Sequence, residues 1–131
     1  MNGDADELVR QWKKKAQSDW TTVEILLAHE QCPAETVCFH CQQFVEKLLK
    51  AFLSLHAIEA PKTHDIRRLI QLANSLVPDL LQFSEVSDKL TVHGVETRYP
   101  GDSYPVSPEE MHKVVEISKK IGEILIPKLK P

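Results

Sequence analysis

At 131 residues, 42% hydrophobic and 27% charged, the chain has the length and balance of one folded domain and leaves no room for a second. Its net charge of −3 excludes a general attraction to nucleic acid, so any RNA contact must come from a local basic cluster. The apolar runs fall far short of the roughly 20 residues that cross a bilayer. The N-terminal MNGDADEL is acidic where a secretory leader is basic, and three cysteines cannot all pair within one chain; both point to a cytoplasmic protein with reduced thiols.

From Ala5 to about Leu27, apolar residues recur at Leu8, Val9, Trp12, Ala16, Trp20, Val23, Leu26 and Leu27, one face of a long helix with Asp4 as its cap. The pattern breaks at His29 to Pro33. Pro33 then opens a second helix running to about Leu55, with Val37, Cys41, Phe44, Val45, Leu48, Leu49 and Phe52 in a broad apolar arc. After a turn at Ile58 to Lys62, Thr63 stands as N-cap to a third helix carrying Ile66, Leu69, Ile70, Ala73 and Leu76, which Pro78 ends or kinks.

The sparse apolar spacing from Leu80 to Val92 suits a short fourth helix better than a strand. From His93 to Pro108 the periodicity disappears and Gly94, Pro100, Gly101, Pro105 and Pro108 mark a loop whose length suggests function. Ser107-Pro108-Glu109-Glu110 is a capping box with proline at the first helical position. It opens a last helix with Met111, Val114, Ile117, Ile121, Ile124 and Leu125. The expected fold is all-α: an up-and-down bundle of four long helices plus a short one.

Several residues do not fit a plain bundle. Asp19 falls on the apolar arc of the first helix, so its carboxylate requires a cation or hydrogen-bond donor nearby, with Lys47 and Arg98 the leading partners; the plainer alternative is a rim residue beside a surface lysine. On the second helix Phe39, Gln43, Glu46, Lys47 and Lys50 form a stripe at spacings of three and four. The aromatic ring among them implies that this face is also covered, by a bundle neighbour or by a second subunit; otherwise Glu46 and Lys50 form a solvated pair.

Cys38-x-x-Cys41 has the look of half a zinc site, with His40 between and Cys32 and His29 upstream. No second cysteine pair completes it, and buried thiols acting as small hydrophobes are the preferred reading, with no metal and no cofactor. Lys62, His64, Arg67 and Arg68 cluster where the third helix starts, and Arg98 and Tyr99 lie in the loop. Together these suit a phosphate group, although a solvated helix start also accounts for such a cluster. No Ser/His/Asp order and no glycine-rich phosphate cradle occurs.

The run from Phe39 to Leu53, FHCQQFVEKLLKAFL, resembles the second-helix signature of the HEPN domain family, with its Gln, Glu-Lys and Lys-Ala positions. Lys62-Thr63-His64-Asp65 resembles the start of that family's next helix, Arg98-Tyr99-Pro100 its loop, and Asp19 an Asp common in its first helix. The resemblance covers nearly the whole chain and implies a single dimer-forming helical-bundle domain over residues 1–131, often encoded beside a minimal nucleotidyltransferase in toxin–antitoxin pairs. Active relatives build a metal-independent RNase site from an Arg-x4-6-His motif. This sequence departs from it, because Arg98 is followed by Tyr104 and no His before His112, while His93 precedes Arg98 in the wrong order.

Three functions compete. The first is a homodimeric binding module whose groove, lined by Asp19, Lys47, Lys50, His64, Arg67, Arg98 and Tyr99, holds a nucleotide or docks a nucleotidyltransferase. The second is an endoribonuclease toxin in which Arg98 steadies the phosphate and His64 or His93 supplies acid/base chemistry, with Tyr104 a poor substitute because a phenol titrates near pH 10. The third is a structural dimer whose polar groups satisfy one another. The missing Arg-to-His spacing favours the first and implies little or no RNase activity.

Overall fold

The computed structural model describes residues 3–94 and 105–130, and over these the protein is a helical bundle with no strand. The first helix, α1, spans Gly3–Leu27. Val9, Ala16 and Val23, buried and spaced seven apart, form its inner seam, where small side chains let the neighbouring helix approach closely. That neighbour is α2, Ala34–Leu55. The two run antiparallel, since Trp20 packs on Phe44 with ring centroids 4.7 Å apart while Trp12 lies beneath the Lys50 ammonium two turns nearer the opposite end.

α2 is the central element, covered by α1, by α3 (Ile66–Ala73) and by α5 (Pro108–Leu125). Its buried residues therefore include not only the expected apolar arc but also Gln42, Glu46 and Lys50. The second covered face expected from the stripe is thus supplied here by the chain's own neighbouring elements, and Glu46 and Lys50 are not a solvated pair. Phe39 is half-buried with its ring edge-on to His40.

The helix ends depart from the sequence reading in instructive ways. α2 stops in a turn in which Ile58 N–H donates to the Leu53 carbonyl at 2.8 Å, with Ala57 in the left-handed region at φ 57°. Asp65, not Thr63, is the N-cap of α3: its carboxylate accepts from Arg68 N–H, while the Thr63 hydroxyl accepts from Asp65 N–H one turn earlier. The sequence reading placed the cap at Thr63, but Asp65, two residues on, favours a cap as well, and packing chose it. Here Ile66 becomes the first helical residue, fully buried, with its N–H donated to the Thr91 hydroxyl.

α3 closes at Ala73, so Pro78 does not end it. The proline instead opens a 3-10 turn, Pro78–Phe83, as a residue lacking an N–H can. The weakly patterned stretch that follows holds the five-residue α4, Ser87–Thr91, and a 3-10 turn at Val92–Gly94. α5 begins as read: Pro108 is its first residue and the Ser107 hydroxyl accepts from Glu110 N–H at 3.1 Å. A last 3-10 turn, Ile126–Leu129, folds Leu129 back into the core. Among the described residues no helix is long and apolar enough to cross a membrane.

Cys38 and Cys41 are fully buried. Burial pushes both thiols up to about 12, and the two side chains pack as small apolar groups in the core. Cys32, partly exposed, has its Sγ 3.7 Å from the sulfur of Met111.

Candidate functional site, a buried polar seam along the central helix

Two carboxylates organise the polar face of α2. Asp19, carried into the α1–α2 seam by its position three residues after Ala16, takes Lys47 Nζ at 2.5 Å on one oxygen and His40 Nδ1 at 2.8 Å on the other. Because a carboxylate only accepts, His40 donates through Nδ1 and its Nε2 is left to face other partners. The cation expected for Asp19 is therefore Lys47, joined by an imidazole that the sequence reading considered only as part of the cysteine motif.

One turn along, Glu46 takes three donors. His64 Nδ1 lies 2.7 Å from Oε1, the Gln42 amide donates to the same oxygen at 3.0 Å, and Lys50 Nζ donates to Oε2 at 3.1 Å. Gln42 is itself fixed: its amide nitrogen also donates to the His64 carbonyl at 3.1 Å, and its oxygen accepts from Gln43 at 2.7 Å. Burial alone raises the Glu46 carboxyl, yet the bonds from Gln42, His64 and Lys50 and the charge of Lys50 outweigh it and hold the group below its ordinary value. The carboxylate is charged and fully engaged.

This arrangement gives the site its shape. Glu46 is 5% exposed while His64 is 65% exposed, so the buried carboxylate anchors one ring nitrogen and presents the other to solvent. Lys50 adds a further contact at the base, its ammonium 5.6 Å from the Trp12 ring centroid. Gly94 closes the floor. A Cβ there would stand 2.9 Å from the Gln42 amide, so a glycine lets the backbone pass over the network without dislodging it. Gly94 is also the last described residue before the stretch of sequence that holds Arg98 and Tyr99.

Of the residues singled out from the sequence, Asp19 and Lys47 form one cluster on the polar face of α2, and Lys50 and His64 meet on Glu46 in the other. Arg67 is drawn away from it, its guanidinium bidentate on Asp88 at 2.7 and 3.2 Å. Arg98, Tyr99 and Tyr104 lie outside the described residues. His93 is buried, with Nε2 3.9 Å from a Glu110 oxygen on α5. The residues that sequence reasoning passed over are His40 and Gln42. The first had a signal, because His40, Gln43, Lys47 and Lys50 continue one helical stripe; the second did not stand out, since its tie to the His64 carbonyl depends on where the chain returns after α2.

An all-α bundle with a charged, imidazole-bearing seam along its central helix is the class of protein these features define. The chain matches the HEPN domain family over residues 9–129 and belongs to it. No curated protein and no solved structure gives a match to this chain.

Proposed function

We propose that this HEPN protein is a binding module: a homodimer whose polar seam takes a nucleotide or docks a minimal nucleotidyltransferase, in a pair of the toxin–antitoxin kind. The observation that carries the reading is His64, an exposed imidazole just before α3 that is held from beneath by the buried Glu46, the carboxylate that also pairs with Lys50. Its Nε2 can donate to a phosphate oxygen when protonated, and Arg98 and Tyr99, which lie outside the described residues, are the further groups expected to clamp it. Lys47 and Lys50 already answer Asp19 and Glu46, so they shape the seam and leave the net attraction for an anion to His64 and Arg98. Family membership supports a nucleotide- or RNA-related role.

The test is calorimetric titration of the purified chain with adenosine and guanosine triphosphates, alongside light scattering. Saturable binding lost in both His64→Ala and Arg98→Ala, by a particle of twice 14.9 kDa, is the expected result. A monomer at micromolar concentration overturns the dimer, and unchanged binding in both variants overturns the seam as the site.

The same imidazole favours a second reading, an endoribonuclease with a non-standard Arg/His site. A carboxylate-anchored His64 has the orientation that general acid/base chemistry uses. Metal-free RNA cleavage also needs a second proton-transfer group, and the sequence has Tyr104 where His is expected. Incubation with single-stranded RNA and a chelator separates the two: absence of cleavage is expected, and cleavage lost in both Arg98→Ala and His64→Ala promotes the nuclease. If neither nucleotide, nucleotidyltransferase nor RNA engages the seam, its polar groups serve only each other and the chain is a structural dimer.

A further inference from the structure

Across α1 from the polar seam lies a different kind of opening. The groove between α1 and α5, about 730 Å³, has an apolar floor formed by the Trp20 and Phe44 rings and by Leu48. That volume lies within the roughly 300–1,000 Å³ of small-molecule pockets. Phe44 packs directly on the α5 backbone, since a Cβ on Gly122 would stand 2.9 Å from its ring. Ile126, 48% exposed, forms an apolar lip where α5 gives way to the last turn.

The rim carries the charge. Lys13 on α1 and Lys119 on α5 line the opening with Glu123, an excess of one positive charge, and neither lysine has an ion-pair partner among the described residues. This contrasts with the seam, where each lysine is matched by a buried carboxylate. An open groove with an aromatic floor and two lysines on its rim that have no ion-pair partner among the described residues fits a molecule with an apolar body and one anionic end.

We propose that this groove is a binding site for a small amphipathic anion, an alkyl or aryl carboxylate, whose apolar body lies on Trp20, Phe44 and Leu48 and whose carboxylate meets Lys13 and Lys119. The site is independent of the nucleotide reading, since it shares no residue with the Glu46 and Asp19 clusters.

Dodecanoate, kept below its micelle concentration, is the probe, titrated against the full chain by calorimetry and by tryptophan emission in a Trp12→Phe background that leaves Trp20 as the reporter. One saturable site per chain with a blue shift of Trp20 is expected. The double change Lys13→Gln with Lys119→Gln weakens dodecanoate about fivefold, as two partly solvated ion pairs should, and leaves neutral dodecanol unaffected. Ile126→Glu weakens dodecanoate further by setting a like charge at the lip. Absence of saturable binding by a chain with native circular dichroism overturns the proposal, as does equal affinity in the lysine double variant. A wild-type dimer split by Ile126→Glu, with no dodecanoate bound, overturns it too and assigns the groove to a second copy of the chain.

Discussion

Glu46 Oε1 lies 2.7 Å from His64 Nδ1, a bond that ties the middle of α2 to the residues just before α3 and fixes which face of the imidazole meets solvent. The carboxylate is nearly inaccessible and the imidazole largely exposed, so the pair joins the core to the surface at one point. Its consequences are measurable in both stability and binding.

Glu46→Ala leaves Lys50 without its carboxylate and Gln42 without its main acceptor inside the bundle. The expected loss is on the order of 3 kcal/mol, the cost of stranding a buried charge. Glu46→Gln keeps the shape but presents an amide to three donors, and should lose less. Urea denaturation of the three proteins checks the order; equal midpoints for wild type and Glu46→Ala would place the carboxylate outside the cooperative core.

Acid should unfold the protein partly through this group. Its folded pKa lies below the ordinary 4.5, so the unfolded chain binds the proton more readily. The stabilisation is therefore complete above about pH 4.5 and disappears as pH falls through the lower folded value. Melting temperature measured from pH 7 to pH 3 should fall more steeply for wild type than for Glu46→Gln, which has no carboxylate to protonate. Parallel curves refute the assignment.

Asp19→Ala removes the partner of both Lys47 and His40 in the α1–α2 seam. A cost on the order of 3 kcal/mol is expected if Lys47 stays where it is, and less to the extent that its side chain, 19% exposed, swings its ammonium to water. Adding Lys47→Met to Asp19→Ala should restore part of the loss, since the second change removes the stranded charge. A double variant no more stable than the single one shows that Lys47 had already escaped.

Ala57 holds a left-handed backbone at the end of α2, a conformation that a Cβ disfavours by about 1 kcal/mol. Ala57→Gly should accordingly raise stability by roughly 0.5–1 kcal/mol, reduced by glycine's greater freedom when unfolded. Thermal melts read this directly, and a destabilised variant would mean that the methyl group's packing outweighs the strain.

Much of the architecture was legible in the sequence because it rests on local periodicity. The seven-residue spacing of Val9, Ala16 and Val23 and the Ser107-Pro108-Glu109-Glu110 cap need no tertiary information, and α1 and α5 follow from them. The demand that Asp19 be paired was legible too, since a carboxylate on an apolar arc requires it wherever the partner stands. What the sequence could not decide was which groups are buried on two sides at once. Glu46 and Lys50 carry the spacing of an ordinary solvated helix pair, and only the crossing of α1 and the return of the chain at His64 take them out of water. The same holds for Asp65 prevailing over Thr63 as cap, and for the open groove above Trp20 and Phe44. Each depends on where a distant element comes to rest, which is set by the summed packing of many side chains and not by the spacing of any few.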